Sequence, residues 1–304
     1  MMRIAILGAG GVGSYYGGAL ARAGHSVSML ARGEHLDALR ERGLEVRTPE
    51  GTWTVPVRAA GDAAELGPAD LAIVAVKSYS LEEIAPAARL LADGGADVLP
   101  LLNGVEAADR LVRNGVPDER VLGGLTEISA ARVGPGIVER RSPFQRVVVG
   151  ERAGGLSARA ERIAAAFRET GVDARASADI TADLWRKLAF IATMAAACGL
   201  SRGPVGPIRD KPLGRAVLER AVREVLAVGR GLGVGLGVSL GEEDAARILG
   251  FIDTLGPTLK PSFLLDLEAG RPTEIHDLCG AVSRLGRQAG VETPVHDVAT
   301  AVLG

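Results

Sequence analysis

The first half of the chain alternates two patterns. Apolar runs stand at 3–7, 26–31, 71–76 and 97–102, and stretches with apolar residues at helical spacing follow at 13–23, 34–42 and 81–91. The run Leu-Ala-Ile-Val-Ala-Val at 71–76 has no polar interruption, as expected of a strand buried on both faces. Strands alternating with helices predict an α/β domain with a mostly parallel sheet. From 122 the pattern shortens. Segments 123–133, 137–140 and 146–150 read as short strands joined by turns, one of them Gly134-Pro135-Gly136.

The second half has no strand pattern. Helices are predicted over 184–200, 213–229, 242–255 and 274–288, with 295–303 closing the chain. Thr181 or Asp183 is placed to cap the first and Thr273 the fourth. The expected organisation is an α/β domain over 1–172 and an all-α domain over 173–304, the boundary lying where the strand pattern stops, near 171–177. The glycine-rich run 229–237 follows no strand and precedes no Lys-Ser/Thr pair, so it reads as a helix end and connector, not a phosphate loop.

Length and charge narrow the classes. A chain of 304 residues suits about two domains and buries enough core to need no disulfide or structural metal. A formal net charge of −2 and an aromatic content of 3% supply neither the basic field nor the stacking platforms of a nucleic-acid binder. No apolar stretch reaches the roughly 18 residues of a membrane span, and 188–200 reads as a buried helix. Cys198 and Cys279 form no CxxC or metal spacing and read as core, and His25, His35 and His296 lack metal spacing too. With no signal-peptide pattern at the start, these features lead to an expected cytoplasmic location and no metal.

Gly8-Ala9-Gly10-Gly11-Val12-Gly13 is a GxGxxG motif placed between a predicted strand and a predicted helix. That context predicts dinucleotide binding. Gly8 makes the tight turn, Gly10 admits a pyrophosphate, Gly13 lets the helix approach the sheet, and the helix N-terminus faces the anion. An NAD site would carry an acidic residue about 20 positions on. Here Arg32 stands 19 residues after Gly13, which predicts a preference for the 2′-phosphate of NADPH, and Glu34 nearby keeps NAD open. Lys77 and Asn103 follow the third and fourth predicted strands, at the carboxyl ends where ligands bind in open sheets; Lys77 is placed to contact cofactor or substrate anions, and Asn103 to hydrogen-bond the substrate or the nicotinamide ribose of the cofactor. Lys187 lies at the edge of an apolar helix face with Leu184, Leu188 and Ile191; it reads either as a snorkelling lysine or as a partly desolvated proton-transfer group.

These segments together resemble the ketopantoate reductase family. The marks are GAGGVG at 8–13, LAR ending at Arg32, VAVKSY around Lys77, LNGV around Asn103, LWRKLA around Lys187, GRPTEI ending at Ile275 and GVETPV at 290–295. The resemblance implies a Rossmann-type NADP(H) domain, a helical substrate or dimerisation domain, and an active site between them. It implies that Lys187 is the general acid for reduction of the C2 carbonyl of 2-dehydropantoate, a step of pantothenate synthesis. Glu274 would work beside it, Ser262 and Asn103 would hold the substrate, and Arg32 and Lys77 would contact cofactor phosphates. The sequence departs from the family where it carries Ile191 and Ala195, one and two turns after Lys187, in place of asparagines. His276 stands where an aspartate is common. The departure opens a second expectation: the same chemistry on a less polar 2-oxo acid or ketone. Retention of Lys187 and Glu274 argues against a third, a nucleotide sensor without catalysis. Apolar helix faces leave a homodimer open.

Overall fold

The computed structural model describes residues 1–234 and 240–304. The chain divides into two compact units, one of Met1–Leu102 with Glu106–Ile180, the other of Asn103–Val105 with Thr181–Gly304.

The first unit runs β1 (Arg3–Leu7), α1 (Gly11–Arg22), β2 (Ser26–Leu30), α2 (Gly33–Arg42), β3 (Leu44–Thr48), β4 (Gly51–Val55), β5 (Arg58–Ala60), β6 (Leu71–Val74), α3 (Leu81–Asp93) and β7 (Asp97–Pro100). It continues with α4 (Ala107–Arg113), β8 (Gly123–Glu127), β9 (Ala130–Gly134), β10 (Ile137–Arg140), β11 (Arg146–Gly150), α5 (Ala158–Arg168) and β12 (Asp173–Ser177). Its main sheet has the order β5-β2-β1-β6-β7, every pair parallel. β1 lies at the centre, Ile4 pairing with Val27 on one side and Leu71 on the other. The chain leaves β1 towards β2 and later returns on the opposite side at β6. The strand order therefore reverses beside β1, where open sheets bind ligands. β1 and β6 carry almost only fully buried apolar residues, as their uninterrupted patterns required.

Two smaller sheets complete the unit. One has the order β4-β3-β10-β9, the other β12-β11-β8, with β11 parallel to β12 and antiparallel to β8. β8 to β11 fall where short strands were expected, with Gly136 in the turn at φ +71°. The strands β3 to β5 and β12 and the helices α4 and α5 were not expected. In β3 the alternation Leu-Glu-Val-Arg, with Leu44 and Val46 fully buried, is a period-two signal that the surrounding charges hid. β12 offers only Ala174 and Ala176 as apolar residues, too little to read as a run. It pairs with β11 and belongs to the first unit, so the chain divides after Ile180 and not at the expected 172/173.

The second unit is all helical among its described residues: α6 (Ile180–Ser201), α7 (Gly206–Arg209), α8 (Pro212–Gly231), α9 (Glu242–Thr254), α10 (Ser262–Glu268), α11 (Cys279–Ala289) and α12 (Pro294–Leu303). α6 begins upstream of the expected caps, so Thr181 and Asp183 lie in its first turn. The helix expected from 274 begins only at Cys279: Leu278 has φ −101° and ψ −91°, and the Gly280 amide reaches one residue past its helical partner to the Ile275 carbonyl. Of the glycine-rich run 229–237, α8 takes the first three residues and Gly233 turns at φ +76°; residues 235–237 lie outside the described residues. No described helix is long and apolar enough to cross a membrane.

The three histidines that lack metal spacing, His25, His35 and His296, are all buried. His296 is fully enclosed, and its Nδ1 lies 2.8 Å from the Glu224 carboxylate, itself buried on α8. The same carboxylate accepts the amides of Val295 and His296 and so caps α12, and it also accepts from Arg220. Removing it strands several buried donors at once. Glu224→Ala is expected to cost about 3 kcal/mol of stability, read as a lower urea midpoint at unchanged m-value. Both cysteines are buried, and burial pushes each thiol up to about 12, which makes them inert core groups.

Candidate functional site

The GxGxxG segment links β1 to α1, with Gly10 capping the helix. Gly8 has φ +108°, and a Cβ there would stand 2.8 Å from the Ala75 carbonyl oxygen, so the turn admits only glycine. At Gly13 a Cβ would run into the Gly8 carbonyl oxygen and approach Ile6 and Ala75, which explains how α1 sits so close on β1 and β6. Gly10 differs: a Cβ there meets no protein atom within 4 Å. Glycine at 8 and 13 thus serves the fold, while glycine at 10 leaves open space beside the helix N-terminus. Ala9, Gly11 and Val12 complete the segment, and the first-turn amides of α1 supply donors and positive dipole for an anion. This arrangement fits the diphosphate of a dinucleotide.

Arg32 caps α2 at the end of β2, where sequence spacing placed it. Its guanidinium is exposed and pairs with Glu83 at 2.5 Å, a partner that spacing could not reveal. Lys77 stands three residues past β6, immediately before the short 3₁₀ turn Ser78–Ser80, and is partly buried. Arg110 donates to the Ser78 carbonyl oxygen at 2.8 Å and to Glu82, which ties that turn to α4.

In the second unit three of the candidates meet. Lys187 Nζ, from α6, donates to Asn103 Oδ1 at 3.0 Å. The Asn103 amide Nδ2 donates to Glu274 Oε2 at 3.2 Å. The residues come from positions 84 and 171 apart in the chain, so no local pattern could have joined them. Glu274 is 6% exposed and sits in the connector before α11, not on a helix. Asn103 uses both ends of its amide, accepting from the cation and donating to the carboxylate, so the three side chains hold one another's orientation. An ammonium fixed beside such a network can donate a proton, and the paired carboxylate can balance its charge.

Apolar residues accompany Lys187 along α6. Leu188 is fully buried, Ile191 is partly buried one turn on, and Ala195 is fully buried two turns on. Ser262 is the first residue of α10 and is exposed; His276 is exposed beyond Glu274. Sequence reading passed over Arg186. It donates to Asp244 on α9 at 2.9 Å and to Asp183 at 3.3 Å, while Phe190 meets Phe251 edge to face at 5.2 Å between centroids. These contacts fix α6 against α9 and hence the helix that carries Lys187. The available signal was an arginine next to the lysine in a helix of mostly buried residues.

Comparison with known proteins identifies the family. The model of the ketopantoate reductase PanE/ApbA family matches residues 4–154, and that of its C-terminal domain matches 179–304. The chain belongs to the ketopantoate reductase family. Family members are oxidoreductases acting on CH–OH groups with a nicotinamide cofactor, so this chain is one too. Similar proteins span its whole length. The 2-dehydropantoate 2-reductase of Halobacterium salinarum is 35% identical over 299 residues, covering 97% of this chain and 95% of that protein. The crystal structure of 2-dehydropantoate 2-reductase from Geobacter metallireducens has a TM-score of 0.91 at 30% identity, covering 99% and 98% of the two chains. A ternary structure of D-mandelate dehydrogenase with NADH and anilino(oxo)acetate has a TM-score of 0.86 at 26% identity, covering 98% and 96%.

Proposed function

We propose that this ketopantoate reductase family member reduces the C2 carbonyl of 2-dehydropantoate, with Lys187 as the proton donor. The observation that carries the reading is the Lys187–Asn103–Glu274 chain of hydrogen bonds. When bound, NADPH supplies the hydride. Lys187 protonates the oxygen that becomes the alcohol, and its positive charge stabilises that oxygen as negative charge develops. Glu274 holds the ammonium through Asn103 and contacts the substrate. Asn103 and Ser262 hydrogen-bond the substrate. Gly8 to Gly13 cradle the cofactor diphosphate, and Arg32 and Lys77 neutralise its phosphates.

The NADPH preference rests on Arg32. Arg32→Ala is expected to lower the NADPH-to-NADH ratio of kcat/KM about tenfold, the worth of one charge-assisted hydrogen bond. An unchanged ratio removes Arg32 from 2′-phosphate recognition.

A second reading keeps the chemistry and changes the substrate to a less polar 2-oxo acid. Ile191 and Ala195 favour it, because alkyl groups on the helix stripe of Lys187 offer no partner to a substrate hydroxyl. The likeness to D-mandelate dehydrogenase points the same way. Paired kcat/KM values for 2-dehydropantoate and 2-oxoisovalerate decide between them. A preference for the hydroxylated acid supports 2-dehydropantoate; a preference for 2-oxoisovalerate supports the second reading.

A further inference from the structure

The hairpin of β9 and β10 lies against the dinucleotide loop from a direction the GxGxxG motif does not reveal. At one end, a Cβ on Gly11 would run into the Ala130 carbonyl oxygen, so β9 crosses the first residue of α1 in backbone contact. At the other end, His35 of α2 pins the turn: its Nδ1 accepts the Gly136 amide at 2.9 Å, and the Gly136 carbonyl accepts from Glu45. Accepting at Nδ1 places the imidazole proton on Nε2. His35 is 4% exposed and that Nε2 makes no hydrogen bond.

Arg132 stands on β9 between these two anchors, two residues from Ala130 and therefore on the same face of the strand. It pairs across the hairpin with Val138, which is fully buried against the first-unit core. Its stem starts on the side that meets α1, and its head is exposed. The His35 imidazole is held below the ordinary histidine range, chiefly by burial and then by the charge of Arg132, and the Ala9 backbone acts on the same ring. Arg132 is thus a cation on the stretch of β9 between the first residue of α1 and the turn that His35 pins. Among the described residues no carboxylate pairs with it, whereas Arg32 is held by Glu83.

We propose that Arg132 is a phosphate-binding residue of the dinucleotide site, reaching a phosphate group of the bound cofactor from the β9 side, with His35 as the positioning residue that holds the hairpin in place. This rests on the nicotinamide-cofactor reading. The chemistry required is one more charge-assisted contact to a phosphate oxygen, and both the diphosphate and the 2′-phosphate of NADPH offer it.

The test is equilibrium binding of NADPH and of NADH, followed by nicotinamide fluorescence, for the wild type, Arg132→Ala and Arg132→Lys. Arg132→Ala is expected to weaken NADPH binding about tenfold, with Arg132→Lys recovering a large part of the loss. Equal weakening of NADH assigns the contact to the diphosphate; weakening of NADPH alone assigns it to the 2′-phosphate. Unchanged affinity for both in Arg132→Ala overturns the proposal. A wild type that binds neither cofactor would instead overturn the cofactor reading beneath it. Arg132 is exposed, so its loss leaves the fold intact; His35→Asn, which retains an acceptor for the Gly136 amide, is expected to retain more NADPH affinity than His35→Ala. Equal affinities in those two variants remove His35 from the positioning role.

Discussion

Lys187→Ala is expected to lower kcat for NADPH-dependent reduction by about 10²–10⁴, the usual worth of a positioned acid. Hydride addition to a ketone leaves an alkoxide unless a proton arrives with it, and in the proposed mechanism Lys187 supplies that proton. Its ammonium is fixed by Asn103, which is fixed in turn by Glu274, so water entering the space left by alanine lacks both the charge and the alignment. KM for NADPH should change little, because the GxGxxG loop belongs to the other unit. Melting should also be near normal, since Lys187 is half-buried and α6 keeps its apolar core and its Arg186–Asp244 clamp. Initial rates at saturating cofactor check this. Near-normal turnover would remove Lys187 from the mechanism.

Gly13→Val and Gly10→Ala are expected to separate the structural and binding work of the loop. The valine Cβ at 13 collides with a backbone oxygen, and neighbouring Ile6 and Ala75 cannot yield without disturbing β1 or the loop after β6. α1 must withdraw, taking its amides out of line with the diphosphate. Overpacking of this kind costs roughly 1–3 kcal/mol, and the same displacement should weaken NADPH binding by about ten- to a hundredfold. At Gly10 the added methyl meets no protein atom. Gly10→Ala should therefore melt like the wild type and still bind NADPH poorly, because the methyl enters the space assigned to the cofactor. Titration calorimetry beside thermal melts distinguishes the two. Full affinity in Gly10→Ala would mean that this space is not where the dinucleotide sits.

What could be read from the chain depended on how local each signal was. β1 and α2, with bounds at or within a residue of those expected, announce themselves through an uninterrupted apolar run and through helical spacing. The glycine motif was legible for the same reason, since all its geometry lies within six residues. β3 and β5 carry charge among their apolar positions, β4 offers only Trp53 and Val55 between threonines, and β12 has only alanines to bury, so none resembled a core strand. The late start of α11 had a different cause. The backbone at Leu278 leaves the helical region and the Gly280 amide bonds the Ile275 carbonyl, a local break that the apolar periodicity of 274–288 did not register.

The candidate site was legible in its parts but not in its assembly. Lys187 could be singled out by its flanking leucines and Glu274 by resemblance. Only the structure shows that Asn103, which follows the strand β7, belongs to the helical unit and bridges the two. Arg32 was found by its spacing, but its pairing with Glu83, 51 residues on, left no mark in either segment. Arg132 is plainer still. Nothing in Ala-Ala-Arg-Val indicates that a strand crosses the start of α1.

The central claim is tested most directly by following NADPH absorbance with wild-type protein and 2-dehydropantoate, and then with 2-oxoisovalerate. The account predicts oxidation of NADPH with at least one of these acids, matched mole for mole by 2-hydroxy acid and reduced to a trace in Lys187→Ala. A protein that binds NADPH yet oxidises it with neither acid, or that does so equally well without Lys187, would contradict it.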